Sequence, residues 1–219
     1  MEGTTGMGIT SRVEAVKIIH ESAVLYNKNL SGRNVMFITV NDNKATYFET
    51  LFQPNNFLHL TGMKTSLNSG FFFRSALNQR LSPESISFDP GGSAEIKLEI
   101  LYRLMSIHVS ARMIGDYDNS RPLLVTDKFA GTVAMAMGFV NINGLYIPNT
   151  ALKLDVRVVT AQATRRKVAA IFIKSRADDF YKRLTYIAKG LMIKDAVLAP
   201  ILSEKVDISN LYADFPLLK

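Results

Sequence analysis

The chain has 219 residues and a mass of 24.4 kDa, with 26 Lys+Arg against 19 Asp+Glu, a formal charge of +7 and a pI near 9.6. Hydrophobic residues make up 47% and charged residues 21%, the balance of a globular chain long enough to bury a core without disulfides or metals. With no cysteine, a disulfide framework, a thiol nucleophile, an iron–sulfur cluster and Cys-ligated zinc are all excluded.

Residues 1–10, MEGTTGMGIT, read as a flexible, glycine-marked leader without the basic and apolar regions of a secretory signal. From Ser11 the spacing of Val13, Val16, Ile19, Ala23 and Tyr26 predicts an amphipathic helix, with Ser11 as N-cap, Glu14 at the capping-box position and Ser31-Gly32 closing it. Residues 34–40 and 44–52 read as strands joined across Asn41-Asp42-Asn43. An apolar segment over 57–60 stops at Thr61-Gly62, and period-two alternation would place His59 on one face with Phe57 and Thr61. Residues 67–81 suit a helix with Phe71, Phe72, Ala76 and Leu77 available for one face. Ser93 suits the cap of a further helix, striped by Ile96, Ile100, Leu101 and Leu104. Short strands follow at 111–117, 123–126, 133–140, 145–148, 152–159 and 168–174, while 181–189 suits strand or helix equally. The expected architecture is α+β, with N-terminal helices packed on a twisted, largely antiparallel β-sheet. One domain spans 11–195, and a tail over 196–219 packs on it.

The charge is uneven. Residues 1–100 carry nine basic and nine acidic side chains, whereas 150–194 carries eleven basic against three acidic, a local +8. Interleaved with Phe172, Phe180, Tyr181 and Tyr186, that surplus suits phosphate contact with base stacking, and it equally suits a solvated basic face. RNA or another nucleic acid is the expected partner, with a protein or nucleoprotein partner as the alternative. No 18-residue apolar run is present, and no P-loop, GxGxxG or GxSxG motif. A cytoplasmic protein with no membrane segment is expected.

His20 reads as a boundary residue of the first helix, and His108 suits a helix C-terminus. His59 interrupts an apolar run that leads into Thr61, Lys64 and Thr65. With no cysteine and three dispersed histidines, a histidine with basic and hydroxyl residues is the available catalytic set, and no metal or cofactor is expected. Such a set fits RNA cleavage in which a base takes the ribose 2′-OH proton, a cation steadies the phosphate and an acid protonates the 5′-oxygen.

Phe57-Leu58-His59-Leu60-Thr61-Gly62 resembles the F-x-H-L-x-G signature of the phage-associated branch of the barnase–EndoU–colicin–RelE-like nucleases. Met113-Ile114-Gly115-Asp116-Tyr117, Thr126-Asp127-Lys128-Phe129-Ala130-Gly131, Gly138-Phe139, Tyr146-Ile147-Pro148-Asn149-Thr150, Asp155-Val156-Arg157 and Ile171-Phe172-Ile173-Lys174 follow in the order of that family's later blocks. The resemblance covers about residues 10–190 and implies a metal-independent endoribonuclease of a phage or mobile element, in some cases a toxin or effector. It implies His59 as general acid/base, Arg157 and Lys174 facing the scissile phosphate, and Thr61 or Thr65 orienting substrate. Arg, Lys or Tyr181 would then supply the second proton-transfer role, and Lys64, Arg165, Arg166 and Lys167 would contact backbone phosphates. Arg157 suits a solvated strand arginine just as well. The alternative function is a non-catalytic nucleic-acid- or nucleoprotein-binding protein, with an anti-defence role among its forms.

Overall fold

The computed structural model of the protein describes residues 11–120 and 124–214, so the leader over 1–10 and the first residue of the strand expected at 123–126 lie outside the described residues. Helix α1 (Arg12–Asn29) buries Ala15, Val16, Ile19, Ser22, Ala23 and Tyr26, one continuous stripe at helical spacing. Val13 falls off that stripe and is exposed, and the Ser11 side chain makes no capping hydrogen bond. Strands β1 (Arg33–Asn41) and β2 (Lys44–Phe52) pair as a hairpin in which Asp42 and Asn43 both take positive φ, 48° and 60°, as a two-residue turn of this hand requires.

Four helices follow: α2 (Phe57–Thr61), α3 (Ser69–Leu77), α4 (Ser93–Leu104) and α5 (Ile107–Ser110). The segment read as alternating is therefore the short helix α2, with Phe57, Leu60 and Thr61 buried and His59 exposed. Five residues are too few for either period to declare itself. In α3 the Asn68 side chain accepts the Phe71 N–H at 2.8 Å, and Phe72, Phe73 and Ala76 are buried while Phe71 faces outward. Gly92, at φ 68°, precedes α4 in place of the expected Ser93 cap. The buried stripe of α4 is Ala94, Leu98, Ile100, Leu101 and Leu104, leaving Ile96 exposed.

The remaining strands are β3 (Met113–Asp116), β4 (Lys128–Gly131), β5 (Ala136–Ile142), β6 (Leu145–Leu152), β7 (Arg166–Ser175), β8 (Arg183–Ile187) and β9 (Tyr212–Ala213), with α6 (Ala199–Lys205) before β9. In place of the expected twisted sheet, they form a closed barrel. Seven strands run in the order β1-β2-β6-β5-β4-β3-β7, and β7 returns to pair with β1, Arg33 opposite Ser175 through Ile38 opposite Ala170. Most pairs are antiparallel, as expected, but β2 and β6 meet in parallel at Thr50 and Tyr146. One edge of β7 is divided between β3 at Arg166–Lys167 and β8 at Ala170–Ile173, so β8 and β9 extend outside the ring. The strand expected over 152–159 is instead the end of β6 followed by a 3-10 turn at Val156–Val158, capped by the Asp155 side chain. The ambiguous 181–189 region resolves as β8.

Alternation explains three apolar clusters. Val35, Phe37, Phe48, Phe52, Ile114, Met137, Phe139, Val168, Ile171 and Ile173 point into the lumen and are continuous with the helical core around Tyr26, Phe57, Phe72 and Leu101. Met36, Ile38, Ala170 and Phe172 point outward and are covered by Leu198, Ile201 and Leu202 of the α6 region and by Tyr181. Phe129 and Ala136 point outward beneath Val156 and Val159 of the β6–β7 connection. Strands β1 and β7 are therefore buried on both faces, and β7 presents six consecutive buried residues.

Candidate nucleic-acid site at the barrel mouth

The lumen is apolar at one end and polar at the other. Along β2 the inward positions run from Phe52, which meets Tyr26 of α1 edge-on at 6.2 Å, through Thr50 and Phe48 to Thr46. The helices thus close the Phe52 end. At the opposite end Thr39, Thr46, Ile114, Lys128, Tyr146 and Arg166 surround an open cavity of about 460 Å³, with Phe48 lining it. These side chains arrive from six strands, and the barrel's closure is what brings them together.

Lys128 is a well-shielded cation there, with 17% of its side chain exposed. Its Nζ donates to Asp116 Oδ1, directly opposite it on β3, and lies 5.8 and 5.7 Å from the ring centres of Phe48 and Tyr146. The carboxylate and the two ring faces hold the ammonium in place at the mouth. Arg166 opens β7; its guanidinium donates to the carbonyls of Ala163 and Arg165 at 2.9 and 2.8 Å, which fixes it at the rim. The Asp116 N–H donates to Thr164 Oγ1 at 2.9 Å, tying the β6–β7 connection to the mouth. Two oriented cations, aromatic rings and several hydroxyls line the cavity, with the Asp116 carboxylate held against Lys128, an arrangement suited to a phosphodiester and its base.

The residues named from sequence are dispersed around the molecule. Arg166 is the one that lines the mouth. Arg165 stands beside it, donating to the carbonyls of Arg157 and Thr160 at 2.6 Å each, and Lys167 is exposed on the next residue of β7. Arg157 is exposed in the 3-10 turn and chelated by Asp155, whose carboxyl it holds below the usual carboxylate range. Lys174 lies at the far end of β7, eight residues from Arg166 and so about 26 Å away at ~3.3 Å per residue. Its Nζ donates to the Asp179 carbonyl at 2.8 Å. His59 sits on α2, in the helical layer that closes the other end of the lumen, and its carbonyl accepts from Lys97 Nζ at 3.3 Å. Lys64 pairs with Asp89 at 2.6 Å. Thr61 and Thr65 turn their hydroxyls onto the carbonyls of Leu58 and Ser85, both at 2.7 Å. Tyr181 is fully buried, its hydroxyl donating to Glu49 Oε1 at 2.9 Å. His59, Arg157 and Lys174 do not share a cleft.

Lys128, Asp116 and Tyr146 carry no individual signal of a site, because each reads as an ordinary strand residue. They do fall in three of the blocks that carried the family resemblance, and those blocks converge at the mouth. Among the described residues no three His, Asp or Glu side chains are grouped as a metal ion would need. Asp116, Asp127 and Asp155 are engaged instead with Lys128, the Asn141 N–H and Arg157. No helix among the described residues is long and apolar enough to cross a membrane.

The model of the PBECR4 family, phage-Barnase-EndoU-ColicinE5/D-RelE like nuclease4, matches residues 18–190, which takes in the whole barrel and, but for the first residues of α1, the helices that close it. The chain belongs to this family of nuclease domains. Neither a search of curated proteins nor one of solved structures gave a match.

Proposed function

We propose that the protein is a metal-independent endoribonuclease that seats the scissile phosphate in the barrel mouth. The supporting observation is the convergence of Lys128 and Arg166 on one open cavity, in a chain of a nuclease family. The ribose 2′-oxygen attacks the adjacent phosphorus as its proton passes to the Asp116 carboxylate. The bond from phosphorus to the 5′-oxygen breaks as that oxygen is protonated by Lys128, while Arg166 steadies the charge on the non-bridging oxygens. The products carry a 2′,3′-cyclic phosphate and a 5′-hydroxyl. Tyr146 offers its ring to a flanking base.

His59 is the rival location, because it is exposed while Phe57, Leu60 and Thr61 of the same signature are buried. One experiment separates the two: cleavage of RNA in EDTA by the wild-type protein and by Lys128→Ala, Arg166→Ala and His59→Ala, each checked for native circular dichroism. Losses of about 10²-fold or more in the first two, with His59→Ala close to wild type, are expected. Loss confined to His59→Ala moves the catalytic centre to α2. DNA of the same sequence, lacking the 2′-OH, stays intact. A wild-type protein that cuts no RNA ends the proposal.

A further inference from the structure

At the far end of β7 a second, smaller cavity of about 130 Å³ is lined by Arg33, Lys174, Lys182 and Arg183, together with Ser175, Asp178 and the exposed ring of Tyr212. The sheet register assembles it. Arg33 lies opposite Ser175, Ile173 opposite Arg183, and Arg183 opposite Tyr212, so β1, β7, β8 and β9 each contribute one wall. Arg183 is clamped by Asp214 through two hydrogen bonds at 2.8 Å, which fixes the plane of its guanidinium. Lys174 is steadied by the Asp179 carbonyl and by the Tyr181 ring, whose centre is 5.0 Å from its Nζ. Arg33 and Lys182 make no ion pair among the described residues. Asp178, the one carboxylate in the lining, accepts the Ser175 N–H at 3.2 Å.

We propose that this cavity is a second phosphate site, which holds a backbone phosphate of the same RNA several nucleotides away from the phosphate in the mouth. The inference rests on the ribonuclease reading and extends it to the length of RNA engaged. At ~30 Å³ per water the cavity has the room of about four waters, the scale of one tetrahedral oxyanion. Its cations outnumber its carboxylates, two of them make no ion pair among the described residues, and an aromatic ring stands at the rim for the adjoining base. Burial first, then the charge of Arg183, push the imidazole of His108 down to about 4, with Asp214 opposing and Arg33 adding to the shift. The ~26 Å from Arg166 to Lys174 corresponds to about eight nucleotides of stacked strand at ~3.4 Å each. Lys174 therefore binds substrate away from the reacting phosphorus.

The test is fluorescence anisotropy with uncleavable 2′-O-methyl RNAs of twelve and four nucleotides. Lys182→Glu and Arg33→Gln are expected to weaken the twelve-mer about tenfold or more and to lower its salt slope by about one per lost contact. The tetramer, too short to span both cavities, should change less than twofold. Lys28→Glu makes the same charge change on the exposed side of α1 and should leave both affinities within twofold. Equal weakening by Lys182→Glu and Lys28→Glu would reduce the effect to net charge and overturn the site, as would no weakening by either. If wild-type protein cuts RNA while Lys182→Glu binds the twelve-mer normally, the second site falls and the ribonuclease stands. If Lys182→Glu and Arg33→Gln alone lose the twelve-mer but wild type cuts nothing, the ribonuclease falls and the site stands. No RNA binding at all removes both.

Discussion

In the run from Phe57 to Gly62 nearly every side chain has a packing duty. Phe57 and Leu60 are buried in the helical core, Leu58 packs against it, and Thr61 closes α2 by donating to Leu58 and accepting the Met63 N–H at 3.1 Å. Gly62 takes φ 71°, and a Cβ there would stand 2.8 Å from Lys97 Cδ and 3.1 Å from Ala94 Cα. Gly62→Ala is thus expected to cost about 1–3 kcal/mol, from the left-handed backbone and the close approach of α4, and to lower the denaturant midpoint at unchanged slope. His108 gives a second residue-scale prediction. It is buried, its Nδ1 finds no hydrogen-bond partner among the described residues, and its folded-state value near 4 lies below the ordinary 6.5. The unfolded chain therefore binds the extra proton, so the stability due to the neutral imidazole is complete above about pH 6.5 and is lost as pH falls toward 4, by up to about 3 kcal/mol. His108→Phe should flatten that part of the curve of unfolding free energy against pH. The sequence shows His108 only as a residue near a helix end; its burial comes from α5 packing on β7 and β8, a contact with segments far along the chain, such as Thr185 at 77 positions' remove, that no local pattern records.

Strand β7 shows how far an element can be read from its own residues. Its buried run, 168–173, was legible as a strand, yet being apolar on both faces it did not say which neighbours it had. The converse failure is 152–159, where Leu152, Leu154, Val156 and Val158 alternate as a strand should. Asp155 instead accepts the Arg157 N–H at 2.9 Å and starts a 3-10 turn, and Val156 and Val159 cover the outside of the barrel while Val158 is exposed. Such a loop satisfies the same apolar count by lying on a face built elsewhere. The α6 segment does likewise over Met36, Ile38 and Phe172. Leu202→Ala, in the centre of that contact, is expected to cost about 2–4 kcal/mol. Because Leu202 lies on the outside of the barrel, RNA cleavage measured well below the transition temperature should stay near wild type.

At the scale of the whole molecule, α+β composition and a mainly antiparallel sheet were legible, but closure was not. The decisive pairs, such as Phe37 with Ile171, join residues over 130 positions apart, and the mouth exists only once that seam forms. The same distance hid Lys128, which reads as one strand lysine among many until closure sets it beside Phe48 and Tyr146. The basic excess over 150–194 was visible in advance, and the fold distributes it: Arg166 goes to the mouth, Lys174, Lys182 and Arg183 to the second cavity, and Arg157 to a salt-bridged loop.

The lumen behind the mouth is filled by Phe37, Phe48, Phe139 and Ile171 and then stoppered by the helices, so it is a cup and not a tunnel. A polymer cannot be threaded through a cup; it can only be laid across the rim, with both flanks leaving sideways. The strand's ends then have no part in recognition. A circular RNA should be opened at a rate close to that of its linear counterpart, with the first product a unit-length linear strand on a denaturing gel. Trimming of linear RNA one nucleotide at a time, with circles left whole, would mean that the substrate does not lie across the rim.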